Sequence, residues 1–199
     1  MEEPREIDDP RWERAHEAIQ ANDYAGALFL FKAMAKDGIK DAYTKIGYTY
    51  SLGGYGVDKN HGEAIKWLRK AYYEVDDAWA AIGLGRSYYY GQGVKKDYAD
   101  ARKYFYEAAR IINIDIANLM LGRIYHDGLG VEKDLAKAYY FYRRAAAKGN
   151  LVALFKLGWV IHEKGEIAKG ACVRYRAARE ISKVKRKNPK DSRLRDLPE

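Results

Sequence analysis

The sequence predicts an all-α fold of about five helix pairs in tandem, between two short tails. Three observations predict it. A Gly-x-Gly-Val loop occurs as GYGV at Gly54–Val57, GQGV at Gly91–Val94 and GLGV at Gly128–Val131, a period of 37. The segments on both sides of each loop agree with one another. Within those segments, apolar residues and one glycine fall on a single face at helical spacing.

The elements follow in order. ERAHEAIQANDYAGALFLFKAMAKDG contains two helical pieces with a short connection. The first full unit runs from AYTKIGYTY at Ala42 to EAIKWLRKA at Glu63, and the second from AAIGLGRSY at Ala80 to DARKYFYEA at Asp100. The third runs from ANLMLGRIY at Ala117 to KAYYFYRRA at Lys137. A weakened fourth unit has ALFKLGWVI from Ala153, a shortened loop KGEIAKG and ACVRYRAA from Ala171. These elements place repeats over 10–182, an acidic tail over 1–9 and a basic tail over 183–199.

Each first helix carries its own stripe. Tyr43, Ile46, Gly47 and Tyr50 share a face, as do Leu84, Gly85 and Tyr88, then Leu121, Gly122 and Tyr125, then Leu154, Leu157, Gly158 and Ile161. A glycine inside a helix costs about 1 kcal/mol relative to alanine. Its recurrence at one register points to close approach by a neighbouring helix. Ala64, Ala101, Ala138 and Ala171 in the second helices suit the same tight contact. In the loops, glycine ends the first helix, and Asn60, Asp97 and Asp134 stand where a side chain caps the second. Val57, Val94 and Val131 are expected to plug each loop onto the core.

This register resembles the Sel-one-like repeat, a longer-looped relative of the tetratricopeptide repeat. The third unit carries that pattern as Ala117, Leu121, Gly122, Tyr125, Gly128, Gly130, Val131, Asp134, Lys137, Ala138, Phe141, Ala145, Ala146 and Gly149. The first unit has Trp67 at the aromatic position and an extra residue in GGYGV. The second has Tyr104 there and an extra residue before Ala80. The resemblance covers roughly 42–178, and the amino-terminal pair looks more like an ordinary tetratricopeptide unit. It implies a right-handed α-α superhelix, a solenoid of antiparallel helix pairs, that binds proteins or peptides on a concave face of first helices. It also implies no shared catalytic residues. Some members of the family act as immunity-type proteins that neutralise a toxin by binding it.

Composition narrows the function further. The chain has 199 residues, is 48% hydrophobic and 32% charged, and holds 18 tyrosines against five phenylalanines. That balance suits a globular core with many half-buried rings whose hydroxyls reach water or a partner. The single Cys172 excludes an internal disulfide framework, and its helical surroundings predict a buried thiol. The acidic start MEEPREIDDPRWERA reads as neither signal peptide nor anchor, and no apolar run reaches transmembrane length. A cytoplasmic location is therefore expected, or a periplasmic or secreted one if a leader has been removed.

Gly91-x-Gly93 follows a helix, whereas a nucleotide loop needs a strand before its glycines, so no cofactor is expected. His126 and His162 hold equivalent registers beside Asp127 and Glu163, yet solvated histidines on a partner face are favoured over a metal site. No convergent titratable set emerges, so an enzyme is not expected. Much of the net charge of +8 sits in SKVKRKNPKDSRLRDLPE. That run reads first as a solvated terminus and only secondarily as a nucleic-acid contact, since the body lacks a binding motif.

The face beside each core stripe is the candidate partner surface. It offers Thr44, Tyr48 and Ser51, then Ile82, Arg86 and Tyr89 with Tyr90 adjacent, then Leu119, Arg123 and His126, and finally Phe155, Trp159 and His162. Ile82, Leu119 and Phe155 are expected to pack between neighbouring helices. Tyr48, Arg86, Tyr89, Tyr90, Arg123, His126, Trp159 and His162 are the expected contacts for another protein or peptide, with acidic or aromatic groups suited to the arginines. The sequence specifies no oligomeric state.

Overall fold

The computed structural model describes residues 9–112, 114–189 and 191–194, and they form an all-α fold. They carry ten α-helices: α1 (Arg11–Gln20), α2 (Tyr24–Lys36), α3 (Ala42–Leu52), α4 (His61–Val75), α5 (Ala78–Tyr90), α6 (Tyr98–Ile112), α7 (Asp115–Asp127), α8 (Leu135–Ala147), α9 (Leu151–Glu163) and α10 (Ile167–Lys187). The chain divides into two compact units after Asp97. Most of the acidic tail expected over 1–9 lies outside the described residues.

In the first unit each helix packs on the next, and α3 also touches α5. The second unit repeats this logic from α6 to α10, with α7 also touching α9. Short connections make neighbours antiparallel, and the skip contact between successive first helices is what stacks one pair on another. Amphipathic faces follow the predicted stripes. Ile46, Leu68, Ile82 and Leu84 are fully buried in the first unit, as are Phe105, Leu119, Leu121 and Tyr142 in the second. Leu68 of α4 shows how two pairs meet: a methyl group on Gly47 would stand 2.7 Å from its Cγ, and one on Gly83 2.8 Å from its Cδ1. In α5 the glycine against Leu68 is thus Gly83, two residues before the Gly85 that the stripe singled out.

The three long loops share one backbone bond. The N–H of Asn60 donates to the Tyr50 carbonyl, that of Asp97 to Tyr88, and that of Asp134 to Tyr125, each at 2.9 Å. The first spans one residue more, which absorbs the insertion in GGYGV. Asn60 then caps α4 through the Glu63 N–H, and Asp134 caps α8 through the N–H groups of Ala136 and Lys137. Gly93 must be glycine for two reasons. Its φ of +74° disfavours any other residue, and a Cβ would stand 2.6 Å from the His61 carbonyl oxygen. Val57, Val94 and Val131 are half-buried beneath their loops.

The fourth pair departs from expectation. Ala171 is exposed, and Gly170 takes the tight contact in its place, where a Cβ would stand 2.6 Å from the Gly158 carbonyl oxygen. Cys172 is likewise exposed rather than buried. Both corrections have one cause. The loop is cut to Lys164–Glu166, so α10 meets α9 one residue out of the register that the alanines predict. Beyond it, α10 continues through Lys187, and the short 3-10 turn Ser192–Leu194 buries Leu194 near α9 and α10.

Candidate protein-interaction surface

In the first unit, α1, α3 and α5 present aromatic rings to a shared recess of about 630 Å³. Trp12, Tyr48 and Trp79 line it together with Asp41, Thr44, Lys45 and Asp77. The recess is held open by polar bonds between α3 and the start of α5. Tyr48 Oη donates to the Trp79 carbonyl at 2.8 Å. Thr44 Oγ1, itself buried, donates to Asp77 Oδ2 at 2.7 Å. Asp77 uses its other oxygen to cap α5, accepting from the Trp79 and Ala80 N–H groups at 2.6 and 3.2 Å. Trp79 remains 42% exposed.

The recess reorganises the sequence expectation. Tyr48 and Thr44 both line it, Thr44 as a buried strut, whereas Ile82 is core. Arg86 lies over Tyr90, its guanidinium carbon 5.9 Å from the ring centroid, and Tyr89 meets Tyr90 edge to face at 4.8 Å. Trp12 and Trp79 were not among the expected contacts. Trp79 was legible as one further turn of the stripe before Ile82 and Arg86. Trp12 sits in the divergent first pair, where no repeat register points to it. The stripe as read contains no acid, and the recess adds Asp41 and Asp77.

In the second unit, His126 serves as a tie between helices. Its Nε2 hydrogen-bonds Glu163 at 2.8 Å, Glu163 also accepts from Lys133 Nζ at 2.7 Å, and only 12% of the His126 side chain is exposed. The lysine hydrogen bond, with that of the histidine, holds the Glu163 carboxyl below its usual value of 4.5. His126 thus meets Glu163, not the equivalent His162. Among the described residues no group of three or more His, Cys, Asp or Glu is arranged to hold a metal ion. Leu119 is core, Phe155 is half-buried, and Arg123 sits against the Met120 sulfur at 3.6 Å.

Trp159 is 41% exposed, with the Arg174 guanidinium 4.1 Å from its ring centroid and the half-buried His162 ring 5.9 Å away. Gly158 permits this arrangement, because a side chain there would stand 2.7 Å from Arg174 Cγ. Arg174 also donates to the Gly158 carbonyl at 3.3 Å. Aromatic rings with a cation on one face and solvent at an edge are amphipathic contact surfaces.

Comparison with known proteins agrees with this architecture. The Sel1 repeat model matches residues 40–74, 80–111, 115–150 and 151–174. The fold is similar to the crystal structure of c5321, a protective antigen present in uropathogenic Escherichia coli strains and displaying an SLR fold. The TM-score is 0.74 at 22% identity over 92% of this chain and 42% of that one, so the chain spans less than half of the antigen's length. A Sel1 repeat protein from Oxalobacter formigenes matches with a TM-score of 0.73 and 28% identity over 86% of this chain and 68% of its own. The crystal structure of MamA matches at 0.62 and 20% identity, covering 85% and 95%. No curated protein matches the sequence. With repeat matches running from residue 40 to 174 and the same stacked helix pairs, the chain belongs to the Sel1 repeat family, an α-helical solenoid.

Proposed function

We propose that this chain is a non-catalytic interaction module that holds a segment of another protein against the exposed surface of its first helices. Sel1 repeats are typically protein–protein interaction modules, which supplies the class. The observation that carries the reading is the recess in the first unit, where three first helices contribute Trp12, Tyr48 and Trp79 to one concave surface. Large rings held by a rigid scaffold offer contact area at small entropic cost, and binding energy concentrates on such residues. Tyr90 and Arg86 extend that surface within the first unit. Arg123, His162 and Trp159 provide the corresponding face in the second, with His126 positioning it.

The mechanism is recognition by shape, aromatic anchoring and charge, with no bond made or broken. Affinity capture from the source cells with wild-type protein, Trp79→Ala and Trp159→Ala tests it. The wild type is expected to retain a partner that both variants lose, while Tyr175→Ala on α10 retains it. Equal capture by all four proteins would remove the first-helix surface as the binding site.

A further inference from the structure

We infer that the recess of Trp12, Tyr48 and Trp79 receives an arginine side chain of the bound segment, with its guanidinium among the rings and paired with Asp41. This rests on the reading of the first-helix surface as the docking face, and it names what enters there.

Charge selects the occupant. Two carboxylates, Asp41 and Asp77, line the recess against one ammonium, Lys45. Asp77 is committed to the α5 cap and to Thr44, so it contributes field rather than a vacant acceptor. Asp41 is different. It is exposed, makes no side-chain cap to α3, and among the described residues pairs with no cation. It is the acceptor left for an incoming donor. Lys45, four residues on, is exposed and can extend its flexible stem into water.

The ring faces point the same way. An aromatic face carries negative quadrupole density, so it attracts cations and repels carboxylates. Arginine fits better than lysine, because a planar guanidinium stacks on a ring while its edge donates two parallel bonds to a carboxylate. Within the protein both kinds of cation sit on rings, Arg174 on Trp159 at 4.1 Å and Lys70 on Tyr43 at 4.3 Å, so the choice of arginine rests on its two-pronged fit to the Asp41 carboxylate. At about 630 Å³ the recess lies in the range of about 300–1,000 Å³ typical of ligand clefts. An arginine therefore enters with part of its flanking backbone.

The test uses nitrogen-15-labelled full-length protein and three capped tripeptides: Gly-Arg-Gly, Gly-citrulline-Gly and Gly-Asp-Gly. The indole N–H signals of Trp12 and Trp79, assigned with Trp→Phe variants, report on the recess. The arginine peptide is expected to shift both signals saturably, and the neutral citrulline peptide to bind about fivefold more weakly. Asp41→Asn, with unchanged circular dichroism, is expected to lose about the same factor, and Asp41→Lys to abolish the shifts. If the aspartate peptide moves the same indoles as strongly, the arginine assignment is overturned while the docking surface stands. If Asp41→Asn binds the arginine peptide as tightly as wild type, the assignment is overturned too. Silence from all three peptides, together with undiminished partner capture by Trp79→Ala, overturns the recess and the docking reading at once.

Discussion

Tyr142 of α8 packs against Gly122 of α7 so closely that a methyl group on the glycine would stand 2.6 Å from ring Cε1. The ring is fully buried and has nowhere to retreat. Gly122→Ala is therefore expected to destabilise the protein by about 1–3 kcal/mol, the usual cost of overpacking a core. Gly62→Ala provides the contrast. Its new methyl would meet only Asn60 Oδ1 at 3.4 Å, and removing a helical glycine is expected to be neutral or stabilising by up to about 1 kcal/mol. Urea denaturation of both variants measures the difference. Equal stabilities would mean that α7 and α8 can separate freely at this point.

Why Gly122 was legible in the sequence, and Gly170 was not, follows from geometry. Gly122 stands at a fixed distance from a loop that recurs every 37 residues, so periodicity alone identifies the three full units. In the fourth, the shortened loop moves α10 by one position, and Ala171 inherits the expectation that Gly170 fulfils. The burial forecast for Cys172 failed with it. The site divides in the same way. Tyr48, Tyr90 and Trp159 were legible as positions beside a known stripe. Trp12 belongs to a pair outside the repeat register, and its place in the recess is set by how α1 packs on α2 and α2 on α3. The His126–Glu163 tie joins the end of one first helix to the residue after His126's own counterpart, His162, in the next, an offset of one that the register alone does not specify.

Asn150 makes a sharper prediction because it performs two tasks while buried. Its Oδ1 accepts from the Ala153 N–H at 2.8 Å to cap α9, and its Nδ2 donates to Asp115 Oδ2 at 2.9 Å. Asn150→Ala loses both and is expected to cost about 1–3 kcal/mol. Asn150→Asp keeps the cap but sets a second carboxylate against Asp115. That variant is expected to be destabilised at pH 7 and to recover part of its stability near pH 4, as one of the two carboxyls takes up a proton. A thermal melt series across pH distinguishes them, and a pH-independent deficit in Asn150→Asp would show that the Asp115 contact carries no weight.

Glu163 predicts an acid dependence of definite sign. Its folded-state pKa lies below the usual 4.5, chiefly through Lys133 and then His126. The stabilisation it contributes is present above 4.5 and is lost as pH falls through the depressed value. Glu163→Gln is thus expected to be less stable than wild type at pH 6 and to converge with it near pH 3. High salt should narrow the pH 6 difference, because the carboxylate is partly exposed. A difference that persists undiminished at pH 3 would assign the effect to packing.

The exposed position of Cys172 is open to direct measurement. An aromatic disulfide reagent is expected to modify one thiol per chain in native buffer, at a rate close to that after denaturation. Protection by more than about a hundredfold would contradict the register of α10, since only local unfolding would then expose the thiol.

Arg86 and Arg123 test the electrostatic part of recognition beyond the recess. Each belongs to a different compact unit, and each lies on a half-buried edge, beside Tyr90 in one case and Met120 in the other. Reversing either charge leaves the buried apolar stripes intact, so helicity should not change. If both arginines face acidic groups of one partner, Arg86→Glu and Arg123→Glu should each weaken capture, and the double variant should abolish it. If the two charges act independently on the partner, their losses add. The wild-type interaction should also weaken as salt rises, and less steeply in each variant, since fewer charge pairs remain to be screened. A double variant that captures the partner undiminished would confine recognition to the aromatic recess.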